Sequence, residues 1–161
     1  MRKDKLFGII SVGILFGVLF PLGLHTLMFK ILERIFFLTD LDILLSSAIA
    51  AYSSVVLAVV LFLKLMNYLI NSELNEKRKI KSKMTAGVLA NIGLYFFWFL
   101  IPFTDNNLGE EYQNKVFKSY ELLSTEFVFY EILINQLSSI ICFVILVGIM
   151  YNKLNTVANN V

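Results

Sequence analysis

Residues 43–70 read ILLSSAIAAYSSVVLAVVLFLKLMNYLI, and the basic segment NSELNEKRKIKSK follows directly at 71–83. The apolar run has 28 residues and contains neither glycine nor proline. Because about 20 apolar residues cross the hydrocarbon core of a bilayer, this run is long enough to span a membrane with tilt. The stretch therefore predicts a transmembrane helix held at the cytoplasmic surface by a basic cluster, Lys77, Arg78, Lys79, Lys81 and Lys83.

Small side chains recur every four residues along the first half of this run, at Ser46, Ala50, Ser54 and Ala58. Residues with this spacing lie near one another on one side of a helix, where small side chains allow a second backbone to approach closely. The pattern predicts that this helix is the packing centre of the protein.

Three further apolar runs lie at 6–29, 84–103 and 127–150. The chain is 58% hydrophobic and only 16% charged, whereas about a quarter of the residues of a soluble domain are charged. We therefore expect an all-α integral membrane protein, a single domain over residues 1–161 that forms an antiparallel four-helix transmembrane bundle. The connections are two exterior loops, 30–42 and 104–126, and one basic cytoplasmic loop, 71–83.

The distribution of basic residues predicts the orientation. With the amino terminus inside, nine Lys and Arg residues fall on the cytoplasmic side and four, Lys30, Arg34, Lys115 and Lys118, fall outside. Basic residues in short loops favour the cytoplasm, so both termini are expected there, in a multi-pass protein of the cell membrane, the cytoplasmic membrane if the source is bacterial. The basic cluster lacks interleaved aromatic residues, and we expect the lipid bilayer rather than nucleic acid as its partner.

The first run carries Gly13, Gly17, Pro21 and His25 at intervals of four residues. The two glycines allow a close helix crossing, and Pro21 predicts a distortion of the helix. The following segment, 30–42, is too apolar for a free loop, so it either lies in the interface or continues the first helix outward.

Two exterior features have structural explanations of their own. Asp40 and Asp42 precede the second helix, where carboxylates cap a helix or meet its dipole, with a role in a binding site as the alternative. In the second exterior loop, Val116, Phe117, Tyr120 and Leu123 follow a helical spacing and predict a surface helix.

The fourth run contains a polar stripe at helical spacing, formed by Glu131, Asn135, Ser138 and Cys142. An ionisable group inside a membrane is costly and usually finds a partner or water. Its depth excludes Lys64 as the partner of Glu131, because Lys64 belongs to the inner leaflet and Glu131 to the outer one. The stripe must therefore face the bundle interior or a cavity.

These depths predict two polar groups. The outer pocket combines His25, Glu131 and Asn135 with Asp40 or Asp42 at its mouth, and the inner group combines Lys64, Asn67 and Asn91. A His beside a carboxylate could relay protons, bind a cation or hold a polar substrate. The alternative is that Glu131 reaches headgroup water and His25 is an ordinary interfacial side chain.

One His and one Cys exclude a bis-histidine haem site, an H-E-x-x-H zinc site and a C-x-x-C redox pair within this chain, so no cofactor or metal is expected. No sequence motif of a phosphate-binding loop or a nucleophile elbow is present. The expected function is that of a non-enzymatic accessory, immunity-type or interaction subunit that binds a membrane protein or forms a homo-oligomer. A transport component for a proton, ion or lipid is the alternative, and a membrane-embedded enzyme is the third hypothesis.

Overall fold

The computed structural model describes residues 3–39, 41–71, 77–105, 109–121 and 128–159, and every regular element in these ranges is helical. The α-helices are α1 (Lys3–Val12), α2 (Phe20–Phe37), α3 (Ile43–Asn71), α4 (Lys77–Asp105), α5 (Glu110–Glu121), α6 (Val128–Glu131) and α7 (Leu137–Asn159). Two π-helical segments, Gly13–Leu19 and Ile132–Gln136, join α1 to α2 and α6 to α7. The described chain therefore has four long helices and the short helix α5. The first long helix consists of α1, the π-helical segment Gly13–Leu19 and α2; the second is α3 and the third is α4. The fourth consists of α6, the π-helical segment Ile132–Gln136 and α7.

Each of the four long helices is long and apolar enough to cross a membrane. The qualifying segments are Leu6–Phe37, Ile43–Leu69, Arg78–Leu100 and Ile132–Asn155. This result confirms the prediction of an all-α chain with four long apolar helices.

Three helix boundaries differ clearly from those predicted by hydropathy, one of them the end of the fourth long helix, which lies at Asn159 rather than at residue 150. The first long helix continues past Phe29 to Phe37, so most of the predicted loop 30–42 is helical. The third long helix begins at Lys77, so the basic cluster occupies its first turns rather than the loop 71–83. Hydropathy marks only the apolar part of a helix, and Lys, Arg and Glu are good helix formers that extend it into polar surroundings.

The π-helical segment of the first long helix lies immediately before Pro21. Proline has no N–H to donate to the carbonyl of Gly17, four residues earlier, and its ring crowds that carbonyl. The wider turn of Gly13–Leu19 accommodates this defect. It also offsets the drift of about 40° per step that a four-residue spacing has in an α-helix. Seven residues at this spacing are buried in succession: Gly13, Gly17, Pro21, His25, Phe29, Glu33 and Phe37.

The first and second long helices run in opposite directions and share the most extensive interface, that between α2 and α3. Residues later in the first helix meet residues earlier in the second. Three approaches mark the interface: Gly17 with Phe62, His25 with Ser54, and Glu33 with Ser47. The small-residue stripe of α3 is buried, with exposures of 0% to 1% at Ser46, Ala50, Ser54 and Ala58.

The largest apolar cluster of the described residues includes Ala58 of this stripe and extends from it toward the carboxyl end of α3. It contains Val12 of the first long helix, Phe62, Met66 and Leu69 of the second, and Cys142 and Leu146 of the fourth. Cys142, which the sequence placed on a polar stripe, is fully buried among these apolar side chains. It packs as a small hydrophobic residue.

The third long helix is the least covered of the four. Only 11% of its most apolar window is buried, against 44% for the first long helix. It touches the first helix at several levels, with Ile80 beside Ile9 and Leu94 beside Gly23. Beyond Leu94, all six residues of 95–100 are at least 37% exposed.

The surface helix predicted in the second exterior loop is present as α5. Tyr112 and Val116 are buried against Phe37, with Ile43 at the edge of the cluster. Phe117, from the same predicted pattern, is 67% exposed, whereas Leu123 lies outside the described residues. Helix α5 is thus fastened over the end of the first long helix and the start of the second.

Candidate functional site

His25 lies inside the helix pack with only 2% of its surface exposed. It follows Pro21 by one turn on α2 and faces the second and fourth long helices. Its Nδ1 is 2.5 Å from the hydroxyl of Ser54 on α3. Its Nε2 is 3.4 Å from the hydroxyl of Ser138 and 3.5 Å from that of Ser139, both on α7. One imidazole therefore joins three long helices through serine hydroxyls.

The surrounding acceptors assign the protons of this network. A serine hydroxyl has a single proton, and that of Ser54 goes to the carbonyl oxygen of Ala51, 2.6 Å away. The Nδ1–H of His25 then donates to Ser54. Ser139 donates to the carbonyl oxygen of Asn135 at 2.8 Å, and the single proton of Ser138 is shared between the same carbonyl at 3.2 Å and Nε2 at 3.4 Å. The arrangement suits a neutral imidazole protonated on Nδ1.

Two buried side-chain oxygens, one in the His25 region and one beside Ser47 on α3, accept no hydrogen bond from the described residues. They are Oδ1 of Asn135, one turn before the serine pair, and Oγ of Ser46, on the buried stripe of α3. Buried polar groups in proteins are usually hydrogen-bonded, often to water. These oxygens therefore mark the polar positions of the interior at which water or an ion would find acceptors.

An apolar layer separates His25 from the next buried ionisable group. Phe29 and Ile134 pack there against Ala50 and Ala51, and all four are nearly or fully buried. Two turns beyond His25 along α2 lies Glu33, which is only 1% exposed. The interior thus contains two polar layers about 12 Å apart along the helix axis.

Glu33 is balanced by one hydroxyl and two cations. Its Oε1 accepts a hydrogen bond of 2.8 Å from Ser47, and its Oε2 lies 3.4 Å from Lys30 and 3.9 Å from Arg34. A buried carboxylate requires such partners, because removing its charge from water costs several kcal/mol in a protein. The two cations belong to the same helix, so the first long helix carries its own counter-charges.

The same cations connect Glu33 to the surface helix. Arg34 donates from Nη2 to the hydroxyl of Tyr120 at 3.0 Å, and from Nη1 to the carbonyl of Lys30 at 3.1 Å. The Lys30 ammonium lies 5.0 Å from the centroids of the Phe29 and Tyr120 rings. Helix α5 is therefore joined to the buried carboxylate through an arginine and an aromatic ring.

The structure brings part of the predicted outer pocket together. His25 and Asn135 lie in one layer, linked through the serine pair of α7. The side chain of Glu131 and the whole of Asp40 lie outside the described residues. Asp42 is exposed, and its Oδ1 accepts from the N–H groups of Leu44 and Leu45 at 2.9 and 3.2 Å, so it caps α3.

The predicted inner group is not assembled. Asn91 donates to the carbonyl oxygens of Leu15 and Gly87, at 3.1 and 2.8 Å, and so faces the first long helix. Lys64 and Asn67 lie exposed on α3. Helix α4 packs against the first long helix and has no extensive contact with α3, which keeps Asn91 away from the other two.

Glu33 is the principal residue that the sequence analysis missed, because it was assigned to the connection after the first apolar run. The four-residue pattern of Gly13, Gly17, Pro21 and His25 could have found it, since the pattern continues to Phe29 and Glu33. The hydroxyl partners Ser47 and Ser139 had no distinguishing pattern of their own. Within the described residues, no group of three His, Cys, Asp or Glu side chains is arranged to hold a metal ion.

No protein-family model, curated protein or solved structure matches this chain. Its class is therefore defined by architecture alone. It is an all-helical protein with four helices long and apolar enough to cross a membrane.

Proposed function

We propose that this chain is an integral protein of the cell membrane, an antiparallel four-helix transmembrane bundle, that acts as a non-enzymatic accessory subunit of the immunity or interaction type. Its partner is a larger membrane protein, which it contacts through its third long helix. The exposure of the aromatic side chains at residues 95–98 carries this proposal. The proposal also rests on the aromatic composition of that stretch.

The exposed stretch is YFFWFL, in which Tyr95, Phe96, Phe97, Trp98 and Phe99 are between 44% and 63% exposed. Lipid tails cover apolar surface without specificity, and aliphatic residues suffice for that contact. Aromatic residues bring large, rigid contact area and are enriched at the centres of protein interfaces. The neighbouring rings of Tyr95, Phe96, Phe97 and Trp98, each at least 44% exposed, favour a helix from another membrane protein as the partner.

The buried polar groups support a non-enzymatic role. His25 and Glu33, the two ionisable groups deepest in the described helix pack, have hydrogen-bond partners from their own chain. A network of this kind specifies how helices pack and leaves the imidazole no free position for a substrate. The third hypothesis, a membrane enzyme, has no comparable support.

The experiment is affinity purification in mild detergent from the native membrane, with the chain carrying a photo-crosslinker at Trp98. We expect one membrane protein to be recovered in stoichiometric amount and crosslinked at that position. Replacing Phe96 and Phe97 together by Ala should lower recovery about tenfold, the effect of losing roughly 1.4 kcal/mol of binding free energy. Phe143→Ala, at an exposed position of α7, is the matched control and should leave recovery unchanged.

If the purification recovers only a second copy of this chain, the protein forms a homo-oligomer and does not bind a larger membrane protein. Equal losses for the Phe96/Phe97 pair and for Phe143 would remove the third helix from the interface. Either result would contradict the proposal as stated.

A transport component is the second candidate, and two buried acceptors favour it, one near the serine pair that contacts His25 and one beside Ser47, the hydroxyl partner of Glu33. Oδ1 of Asn135 and Oγ of Ser46 are positioned to receive a proton donor such as water. Purified protein in vesicles should then conduct protons or cations, and Ser138→Ala should reduce the flux with folding intact. Flux that requires no partner would overturn the accessory role.

A further inference from the structure

A cavity of about 330 Å³ lies where the first long helix ends, α3 begins and α5 crosses over them. Its lining combines an apolar group, Phe37, Leu41 and Ile43, with polar Thr39 and two cations, Lys115 and Lys118. No acidic side chain is among these lining residues. We propose that this cavity binds an anionic amphiphile, a molecule with a phosphate or carboxylate headgroup attached to a hydrocarbon chain.

The cations have a fixed position relative to the apolar residues. Lys115 and Lys118 are three residues apart on α5, and residues at this spacing are neighbours on a helix surface. Tyr112 and Val116 hold α5 against Phe37. Further along the helix, Tyr120 accepts a hydrogen bond from Arg34. The two ammonium groups are thus carried by a helix that is anchored on both sides of them.

Asp42, the acidic residue that follows the lining residue Leu41 in sequence, is already engaged by α3. Asp42 accepts hydrogen bonds from two N–H groups of the first turn of α3, at Leu44 and Leu45. Its charge is directed at the helix end, where it meets the positive end of the dipole. The cavity therefore presents positive charge beside an apolar surface, which is complementary to an anion with a hydrocarbon tail.

The location selects an amphiphile over a purely polar ligand. Phe37 and Ile43 are the terminal residues of two segments long and apolar enough to cross a membrane. Ligand pockets commonly range from about 300 to 1,000 Å³, so this cavity is sized for a headgroup and its first carbons rather than for a whole lipid. An anionic lipid can place its headgroup at the lysines and leave its chains in the bilayer. The inference holds for either orientation of the chain in the membrane and does not rest on the proposed accessory role.

The test is native mass spectrometry of the purified full chain, titrated with phosphatidylglycerol or phosphatidylcholine that carry identical acyl chains, and separately with inorganic phosphate. We expect the first phosphatidylglycerol to bind about tenfold more tightly than phosphatidylcholine, since each basic group near an anionic headgroup contributes favourably. Inorganic phosphate should bind weakly and should not displace the lipid. Added salt should weaken the preference, as screening requires.

Paired variants identify the site. Lys115→Gln with Lys118→Gln should abolish the preference for the anionic lipid, whereas Lys115→Arg with Lys118→Arg should keep it. The control, Lys64→Gln with Lys153→Gln, removes the same charge from positions on α3 and α7 outside the basic cluster and should leave the preference unchanged. Leu41→Ser should weaken both lipids and leave the weak phosphate binding as it was.

Three results would overturn the proposal. They are equal affinity for the two lipids, equal loss of preference in the control pair, or phosphate that competes as well as the lipid does. The thermal unfolding midpoint of each variant, measured in the same detergent, must match that of the unaltered chain. The lysine variants alter partly or fully exposed side chains, so we expect this match.

Discussion

The Nδ1 of His25 and the hydroxyl of Ser54 form a polar contact of 2.5 Å between the first and second long helices. Replacing Ser54 by Ala removes the acceptor of the Nδ1 proton. Hydrogen bonds between helices in membranes contribute about 0.6 kcal/mol on average and up to about 1.7. We expect Ser54→Ala to lower the free energy of unfolding by about 1 to 2 kcal/mol, because the donor it leaves is buried.

The measurement is reversible unfolding in mixed micelles, followed by circular dichroism. Ser53→Ala, one residue away and exposed, is the control and should change stability by less than about 0.5 kcal/mol. A double-mutant cycle with His25→Ala should give a coupling of about 1 kcal/mol with Ser54 and none with Ser53. Additive effects of His25 and Ser54 would show that the contact is not an energetic link.

Glu33 makes the complementary residue-scale prediction. Glu33→Gln keeps the shape of the side chain but removes the buried negative charge that faces Lys30 and Arg34. Breaking a buried ion pair from one side costs about 3 to 5 kcal/mol, and the partial exposure of both cations reduces this. We expect a loss of about 2 kcal/mol in the same unfolding assay.

The control for this variant is Glu110→Gln, which removes an equal charge from an exposed position at the start of α5. It should cost less than about 1 kcal/mol, the upper range of a dipole interaction at an exposed helix end. A Glu33→Gln protein as stable as the control would mean that Ser47 alone satisfies the side chain.

What the sequence could predict at this scale was the polar character of single residues rather than their partners. The stripe on the fourth run included Asn135 and Ser138, and the spacing in the first run singled out His25. Pairing them with Ser54 required the register between helices, which depends on the close approach at Gly17. Glu33 was missed for a different reason, because its charge lowers local hydropathy and moves the apparent helix end to Phe29.

At the scale of helices, the packing of the first long helix against α3 depends on Gly17. A Cβ at this position would overlap the ring of Phe62, which is fully buried in the main apolar cluster. Because the ring has no free space to move into, we expect Gly17→Ala to destabilise the protein by about 1 to 3 kcal/mol. Thermal unfolding in detergent measures this change.

Gly93 on α4 offers a matched control, since a Cβ there meets no atom within 4 Å. Gly93→Ala should be neutral or stabilising by up to about 1 kcal/mol, through its higher helix propensity. Equal destabilisation by both substitutions would point to a general intolerance of side-chain volume rather than to the crossing at Phe62.

The four helices and the buried stripe of α3 were predictable because length and small-residue spacing are local properties of the chain. The exposure of the third long helix was not predictable from the sequence. Residues 95–99 are all aromatic, so they show no periodicity that distinguishes a packed face from an open one. The extension of the first and third helices beyond their apolar runs was also hidden from hydropathy. Predicting the exposure would have required knowing which helices are neighbours. Predicting the extensions would have required weighing the helix propensity of the charged residues beyond each apolar run.

At the scale of the whole molecule, the two polar layers and the lysine-lined cavity all lie in the half that contains the end of the first long helix and the start of the second. The basic cluster of α4 lies toward the opposite end, where Ile80 packs against Ile9. This division separates a polar, acid-containing half from a half whose charge is mainly basic. Combined with the preference of basic residues for the cytoplasm, it gives the proposed bundle a testable orientation.

The orientation predicts opposite labelling at two exposed, uncharged positions, Asn114 on α5 and Ser82 on α4. In intact cells that produce each single cysteine variant, a membrane-impermeant maleimide should modify Asn114→Cys directly and Ser82→Cys only after permeabilisation. The native Cys142 is fully buried and should not react, which the unaltered chain controls for. The reverse pattern would move the termini to the exterior and the lysine-lined cavity to the cytoplasmic leaflet. Labelling of both variants in intact cells would contradict a bundle that crosses the membrane between these positions.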